Sequence, residues 1–263
     1  MKLDIFLDTL TKNNLNYFDF IKMASQIEEI SEIFDIKDLE NWRFLGLDIL
    51  KTKNGKISLA TRFRPFKEQI FCAVDIETSG SNMQKGQIIE IGATKFQNEI
   101  ELERFETFVK CDLVPDEITE LTGICADDLK DAPNLKEVLE KFRLFLKDAV
   151  FIAHNVNFDY NFINDSFKKF DMGILLNSKI CTINLSRRTI PSQKYGLSSL
   201  KEILNINSIH HRALSDALAA KDIFIECTKR LPWTIETTQD LINFSKFAKC
   251  LKISSQTKTD NII

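Results

Sequence analysis

Residues 70–78 read IFCAVDIET, and this stretch decides the fold of the chain. Its apolar first half is typical of a strand buried within a sheet, and two acidic residues follow at its end. Because side chains at i and i+2 of a strand point to the same side, Asp75 and Glu77 share one face. Two carboxylates in an apolar strand are costly unless something positive lies between them, and a metal ion is the simplest answer. Taken alone, the motif more often indicates acids at a strand end that meet solvent or a helix N-terminus.

Strand and helix patterns alternate around this stretch. Residues 87–96 and 100–109 have the pattern of two more strands joined by short links, which favours an antiparallel meander, and 149–153 form a short apolar strand. Helices are predicted near 134–147, 157–170, 197–204 and 213–230. The sequence therefore predicts an α/β domain over 69–232, with a mixed β-sheet flanked by helices.

Two smaller segments flank the predicted domain. Helical spacing over 3–34 and a hairpin around Asn54-Gly55, with strands from Phe44 to Thr52 and from 56 to 63, predict a small N-terminal module over 1–68. Residues 41–70 hold seven basic and two acidic residues, so the module is either winged-helix-like and binds nucleic acid or a helical cap on the main domain. The nucleic-acid interpretation assigns phosphate contacts to Lys51, Lys53, Lys56, Arg62 and Arg64. Residues 233–263 are predicted as a helix near 236–251 and a polar tail.

Composition excludes several classes of protein. The 263 residues are 44% hydrophobic and 28% charged, as expected of a chain that buries a full core. No run approaches the ~18 uncharged apolar residues of a membrane span, so no membrane association is expected. The six cysteines are scattered without a CxxC pair, which indicates free thiols in a reducing cytoplasm and no zinc knuckle. The net charge of -3 argues weakly against non-specific nucleic-acid binding, but acidic residues that hold metal ions remain compatible with phosphate chemistry.

A second motif, HNVNFD at residues 154–159, joins a strand to a helix. An acid in the first turn of a helix is ordinary capping chemistry, so Asp159 alone indicates little about function. Phe158 and Phe162 are predicted to belong to the apolar stripe of the helix, with Asp159 at its edge. We expect His154 to be a structural hydrogen-bonding residue near the site rather than a ligand.

A third motif, HHRALSDA at residues 210–217, contains two of the three histidines of the chain. His211 and Asp216 are five residues apart, about 140° around a helix, and do not share a helix face. We therefore place His211 on the loop before the helix, where mobility suits a general base. Two surface histidines before an ordinary helix are the alternative, which loses weight because all three motifs occur in order.

The three motifs together supply four carboxylates and one imidazole. Carboxylates without cysteine select Mg²⁺ or Mn²⁺. Two such ions ~4 Å apart can stabilise the attacking and leaving oxygens of a phosphoryl displacement. A histidine with a pKa near its usual ~6.5 can accept the proton of the attacking water.

In this combination the motifs resemble the DEDDh 3′–5′ exonucleases, over about residues 70–229. The resemblance implies a ribonuclease H-like fold and two metal ions. It implies that Asp75 bridges both ions, that Glu77 and Asp216 complete the tighter site, and that Asp159 holds the second ion.

The same resemblance implies the remaining roles at the site. His211 would be the general base, the backbone around Thr78 would contact the terminal nucleotide, and Asn155 would lie close to the site. Further stretches look like the branch that contains the epsilon proofreading subunit of bacterial DNA polymerase III and the exonuclease domain of PolC-type polymerases. They are EIGA (90–93), ELTGI (120–124) and the pair 187–188 with Pro191.

The implied function is a metal-dependent 3′–5′ DNA exonuclease that releases nucleoside 5′-monophosphates and proofreads for a replicative polymerase. Its implied partners are a single-stranded 3′ end of DNA and the catalytic subunit of DNA polymerase III. An exoribonuclease in RNA processing is the alternative, since nothing in the motifs reads a 2′-hydroxyl. A binding module without catalysis is disfavoured, because all five chemical groups are present.

Overall fold

The computed structural model describes residues 2–82, 84–206 and 212–252. The first part of the chain is helical and ends in a hairpin. Its elements are α1 (Lys2–Lys12), α2 (Tyr17–Ala24), α3 (Glu28–Ser31), α4 (Leu39–Phe44), β1 (Ile49–Lys51) and β2 (Ile57–Leu59). The predicted hairpin is confirmed but is shorter than predicted, because Phe44 ends α4 and the chain turns at Gly46 with a φ of 102°.

A five-stranded mixed sheet forms the centre of the molecule. Its strands are β3 (Ile70–Thr78), β4 (Ile88–Gln97), β5 (Ile100–Phe108), β6 (Val150–Ala153) and β7 (Lys179–Cys181), in the spatial order β5-β4-β3-β6-β7. The first three strands are antiparallel neighbours, and β6 and β7 run parallel to β3. This confirms the predicted α/β layout, with β3 at its middle and β7 as a strand that the sequence pattern did not show.

Helices cover both faces of the sheet. They are α5 (Asp116–Thr122), α6 (Ala126–Leu129), α7 (Leu135–Leu146), α8 (Val156–Lys169), α9 (Thr182–Thr189), α10 (Leu197–Leu204), α11 (Ala213–Thr228) and α12 (Thr238–Phe247). One apolar layer packs α7 and α8 against the sheet, and a second layer packs α9 to α12 against the other face. The predicted helix near 236–251 is confirmed as α12 and is shorter at both ends. In the described part of the chain, no helix combines the length and the apolar character that a membrane span needs.

The N-terminal helices and hairpin pack directly against the sheet domain. Their apolar core includes Ile174 and Leu176 from the segment before β7. The backbone N–H of Leu176 donates to the carbonyl of Leu45 at 2.8 Å, and that of Thr238 donates to the carbonyl of Arg64 at 2.9 Å. Residues 2–68 thus contact the sheet domain on one side and α12 on the other.

Two of the five basic residues assigned to phosphate contacts are used within the fold instead. Arg62 donates to Asn14, Ser58 and the carbonyl of Lys12. The guanidinium of Arg64 pairs with the buried carboxylate of Asp48 and donates to Gln69. These contacts disfavour the phosphate-binding interpretation for both arginines, which stays a prediction. The other three, Lys51, Lys53 and Lys56, are exposed on the hairpin.

Candidate active site

Three carboxylates meet at one end of the central strand. The ligand atoms of Asp75, Glu77 and Asp216 all lie within 4.8 Å of one another. β3 supplies the first two from one face, as the i, i+2 spacing predicts, and the first turn of α11 supplies the third. Asp75 and Glu77 are half-buried, whereas Asp216 is buried. The two motifs are brought together although 139 residues separate their nearest acids, Glu77 and Asp216.

A fourth carboxylate adjoins this cluster. Asp159 lies in the first turn of α8 and is 3% exposed. Its Oδ1 accepts a hydrogen bond from the backbone N–H of Ile76 at 3.3 Å, which holds the carboxylate against β3 between the two acids of the strand. All four acidic residues that the sequence singled out therefore lie around the carboxyl end of the central strand, which we call the catalytic edge of the sheet.

The acids at this edge repel one another. Burial, followed by the charges of Asp159, Glu77 and Asp216, raises the pKa of the Asp75 carboxyl well above its usual range. Burial and the charges of Glu90 and Asp216 raise the pKa of Glu77 to about 7. A divalent cation would relieve this repulsion, and a donor set made only of carboxylate oxygens suits Mg²⁺ or Mn²⁺. The residues present therefore fit the metal ions that the motifs imply.

An ion pair between the buried Glu90 and the partly exposed Arg212 fixes the start of the helix that carries Asp216. Glu90 is fully buried on β4, directly across the ladder from Glu77. Arg212 donates to Glu90 Oε1 through Nη2 at 2.8 Å and Nε at 3.1 Å, and the backbone N–H of Ala213 donates to Oε2 at 3.1 Å. The sequence pattern assigned Glu90 no role beyond its place in the EIGA stretch. An acid inside the apolar run 88–93 was the signal that could have identified it.

A glycine allows the helix and the sheet to approach closely. Gly92 pairs with Asp75 in the β3–β4 ladder. A Cβ at this position would collide with backbone atoms of Ala213 and Leu214. The absence of a side chain thus lets the first turn of α11 lie on β4, which places Asp216 opposite the acids of β3.

Comparison with known proteins agrees with this geometry. A model of the RNase_T family, described as an exonuclease family, matches residues 72–224, more than half of the chain. The chain belongs to the RNase_T exonuclease family. The matched region contains β3, α8 and the first turn of α11, and so all four carboxylates.

Relatives in this family include the PolC-type DNA polymerase III of Caldanaerobacter subterraneus subsp. tengcongensis. It is 42% identical over 164 residues, which cover 61% of this chain and 12% of the relative. The corresponding protein of Halalkalibacterium halodurans is 38% identical over 158 residues, 59% of this chain and 11% of the relative. The chain thus spans about an eighth of the length of these polymerases.

Solved structures of two exonucleases share the fold. Exonuclease X in complex with 5′-overhanging duplex DNA has a TM-score of 0.52 at 22% identity, covering 65% of this chain and 99% of the other. The zinc-bound complex of E. coli exonuclease I with single-stranded DNA has a TM-score of 0.57 at 17% identity, covering 63% and 42%. These likenesses confirm the predicted ribonuclease H-like fold.

The structure describes three of the four other residues that the motifs singled out. Thr78 ends β3, is 9% exposed and donates from Oγ1 to the carbonyl of Gly80 at 2.8 Å. Asn155 precedes α8 in a left-handed conformation with a φ of 72° and is exposed. His154 has Nδ1 2.9 Å from Thr182 Oγ1, and burial lowers its pKa to about 4, in keeping with a structural role. His211 lies outside the described residues.

Phe158 differs from its prediction. Phe162 is buried as predicted, but Phe158 is 39% exposed and was wrongly assigned to the core stripe of α8. It lies in the first turn of α8 and lines a cleft of about 210 Å³ together with Ser81, Asn82 and Asn161. An aromatic face is therefore exposed one residue from Asp159.

Proposed function

We propose that this chain is a metal-dependent 3′–5′ DNA exonuclease that releases nucleoside 5′-monophosphates and proofreads for a replicative DNA polymerase. The observation that carries the proposal is the meeting of four carboxylates, with raised pKa values at Asp75 and Glu77, at one edge of β3. Family membership supports the exonuclease chemistry, and the polymerase relatives support the replication setting.

The carboxylates divide between two cation sites. Asp75, Glu77 and Asp216 would hold the tighter ion, and Asp75 together with Asp159 would hold the second. Bound Mg²⁺ or Mn²⁺ would supply Lewis acidity, lowering the pKa of the attacking water and neutralising charge on the phosphate. The Glu90–Arg212 pair contributes indirectly, because it holds the first turn of α11 and so the position of Asp216.

The other predicted site residues would accept the proton of the attacking water and orient the DNA strand. His211 would accept the proton of the attacking water as the water oxygen bonds to the phosphorus of the terminal nucleotide. The P–O3′ bond then breaks, and the released 3′ oxygen takes a proton. The backbone at Thr78 and the side chain of Asn155 would contact the terminal nucleotide.

The proposal also includes the setting of the reaction. The substrate is a single-stranded 3′ end, and the partner is the catalytic subunit of a DNA polymerase III. The cytoplasm is the proposed compartment, in keeping with six free thiols.

A digestion assay with the full chain tests the proposal. The substrates are 5′-labelled DNA primers with a matched or mismatched 3′ end and an RNA primer of the same sequence, each with Mg²⁺, Mn²⁺ or EDTA. We expect stepwise shortening of mismatched DNA that EDTA abolishes. Asp75→Asn should reduce the rate by about 10³-fold, since several kcal/mol of charge stabilisation in the transition state depend on the bound metal.

The matched control is Glu140→Gln, which removes an exposed carboxylate from α7 and should leave the rate unchanged. Preference for the RNA primer would contradict the DNA assignment and favour RNA processing. Digestion that persists in EDTA, or equal losses in the two variants, would contradict the metal mechanism.

A further inference from the structure

A cleft separates the N-terminal helices from α8. Its volume is about 430 Å³, and the segment before and at the start of β7 forms its floor. Three lysines, Lys168, Lys179 and Lys246, lie on the side of the sheet domain, and Asp4 and Glu29 lie on the side of the N-terminal helices. The cleft therefore has one basic wall, in a chain whose net charge is -3.

Lys179 is held in place within this wall. Its Nζ donates to Asn157 Oδ1 at 3.2 Å and lies 4.3 Å from the centre of the Tyr160 ring. Both partners belong to the first half of α8, so the ammonium group lies against that part of the helix. A lysine whose direction is fixed by an amide and a ring has already lost much of the side-chain entropy that binding an anion would otherwise cost.

The lysines of the wall form no ion pair with an acid. Among the described residues, no carboxylate oxygen lies within 4.0 Å of the Nζ of Lys168, Lys179 or Lys246. Partial burial and the nearby charge of Lys246 lower the pKa of Lys179. An anion bound between the ammonium groups of Lys179 and Lys246 would relieve their repulsion.

The basic wall continues to the catalytic edge. Asn161 lines this cleft and also the smaller one beside Phe158 and Asn82. Asn157 and Phe158, in the first turn of α8 beside Asp159, also line the smaller cleft, as does Asp165. The two clefts thus follow α8 from its first turn to the lysines, past one acid and past amide and aromatic groups that suit the bases and backbone of a nucleic-acid strand.

We propose that Lys179 and Lys246 form a phosphate subsite that holds the backbone of the single strand upstream of its reacting 3′ end. This inference rests on the proposed exonuclease function and names where the strand lies before it reaches the acids. Lysine serves as a point charge for a phosphate, and a phosphodiester placed there would satisfy both ammonium groups. A nucleic-acid strand fits better than an acidic protein segment, because the track begins at the catalytic edge and includes Phe158.

A binding assay tests the subsite without interference from cleavage. Affinities for a 15-nucleotide and a 3-nucleotide single-stranded DNA are measured over a range of salt, in the full chain carrying Asp75→Asn. Lys179→Gln with Lys246→Gln should reduce the slope of log K against log salt for the longer strand by about 0.7 for each phosphate that the protein no longer neutralises. The affinity for the trinucleotide should fall much less, because that strand ends before the cleft.

Two further variants make the result specific. Lys37→Gln with Lys136→Gln removes two charges from exposed positions elsewhere and should leave the slope unchanged. Lys179→Arg with Lys246→Arg keeps the charge and should retain most of the slope, which a merely structural role would not predict. If the double glutamine variant unfolds, Lys246→Gln alone gives the same test, because Lys246 is exposed. The slope of log K against log salt should then change by about half as much.

An unchanged slope in the glutamine variant, or an equal reduction in the control pair, would overturn the subsite. Equal weakening of both strands would overturn it too, because the lysines would then act at the reacting end. Competition by an acidic peptide that exceeds competition by DNA would assign the cleft to a protein partner instead. Failure of the exonuclease proposal would look different from failure of the subsite. The chain with Asp75 intact would then digest no strand, while the salt dependence of DNA binding would still fall in the glutamine variant.

Discussion

Buried acids have different surroundings in two regions of the molecule. One is the junction between the N-terminal module and the sheet domain, around Asp48 and Arg64, and the other is the catalytic edge, at the end of β3. At the junction, the buried Asp48 is paired with Arg64, whose charge counteracts the rise in the pKa of Asp48 that burial causes. At the catalytic edge, Asp75, Glu77 and Asp216 crowd together, and their mutual repulsion adds to burial in raising the pKa of the first two. Asp216 also lies near a base, with Lys201 Nζ 3.8 Å from its Oδ1, whereas Asp75 and Glu77 form no ion pair with any described residue.

The two arrangements of acids contribute differently to stability and to function. A buried acid with a basic partner fixes one arrangement of two segments, and loss of either partner leaves an uncompensated charge. Buried acids that repel one another cost folding free energy and are retained where a cation binds. The junction should therefore respond to mutation in stability, whereas the catalytic edge should respond in activity, metal binding and pH dependence.

After Asp75→Asn, the largest effect is expected from Gly92→Ala. The added methyl group would meet the backbone of α11, so the helix must move away from β4 and carry Asp216 with it. Because a misplacement of about 1 Å can cost ~10²-fold in rate, we expect at least that loss, together with about 1–3 kcal/mol of stability. Nuclease assays and urea unfolding measure the two effects.

Gly196→Ala is the matched control. A Cβ at Gly196, before α10, would meet no atom within 4 Å of it, so both rate and stability should stay close to those of the parent chain. Full activity in Gly92→Ala would show that the close approach of helix and sheet does not set the position of Asp216.

The sequence alone could predict only the part of the carboxylate site that lies within one short stretch of the chain. The spacing of Asp75 and Glu77 follows from the geometry of one strand, so the sequence alone placed both on one face. The approach of Asp159 and Asp216 depends on tertiary packing, and only the resemblance to a known family connected them. The partnership of Glu90 with Arg212 spans 122 residues, and no local pattern shows it.

The flanking segments were less predictable for the same reason. β7 has three residues, too few for a periodic signal, and it exists because β6 offers a free edge. Charge alone suggested that Arg62 and Arg64 face nucleic acid, but the acceptors that occupy them, Asn14 and Asp48, are distant in sequence. Phe158 fits the helical stripe, yet it is 39% exposed and packs its ring beside Phe162 rather than within the core.

A smaller effect is expected from Arg64→Met at the junction. The substitution keeps much of the side-chain volume but leaves the carboxylate of Asp48 buried without its partner. We expect a loss of about 3 kcal/mol in the free energy of unfolding, at the lower end for buried pairs because Arg64 is partly exposed. Lys141→Gln is the control: its pair with Glu137 on α7 is exposed and should contribute less than about 0.5 kcal/mol. Equal effects in the two variants would show that the junction does not depend on this charge pair.

The smallest effect concerns the pH dependence of stability in EDTA. Since the folded-state pKa of Glu77, about 7, is above its usual value of 4.5, the folded chain binds more protons than the unfolded chain between these values. Stability should therefore fall as pH rises from about 4.5 to 7, and Glu77→Gln should remove about 1–2 kcal/mol of that fall. Mg²⁺ replaces protons at the same carboxylates, so it should raise the melting temperature more at pH 8 than at pH 5. Thermal unfolding of the parent chain and the variant at both pH values, with EDTA or Mg²⁺, measures this difference. A Mg²⁺ effect that is as large at pH 5 as at pH 8 would place the ion away from the acids of β3, and the crowding of Asp75 and Glu77 would no longer explain where this chain binds metal.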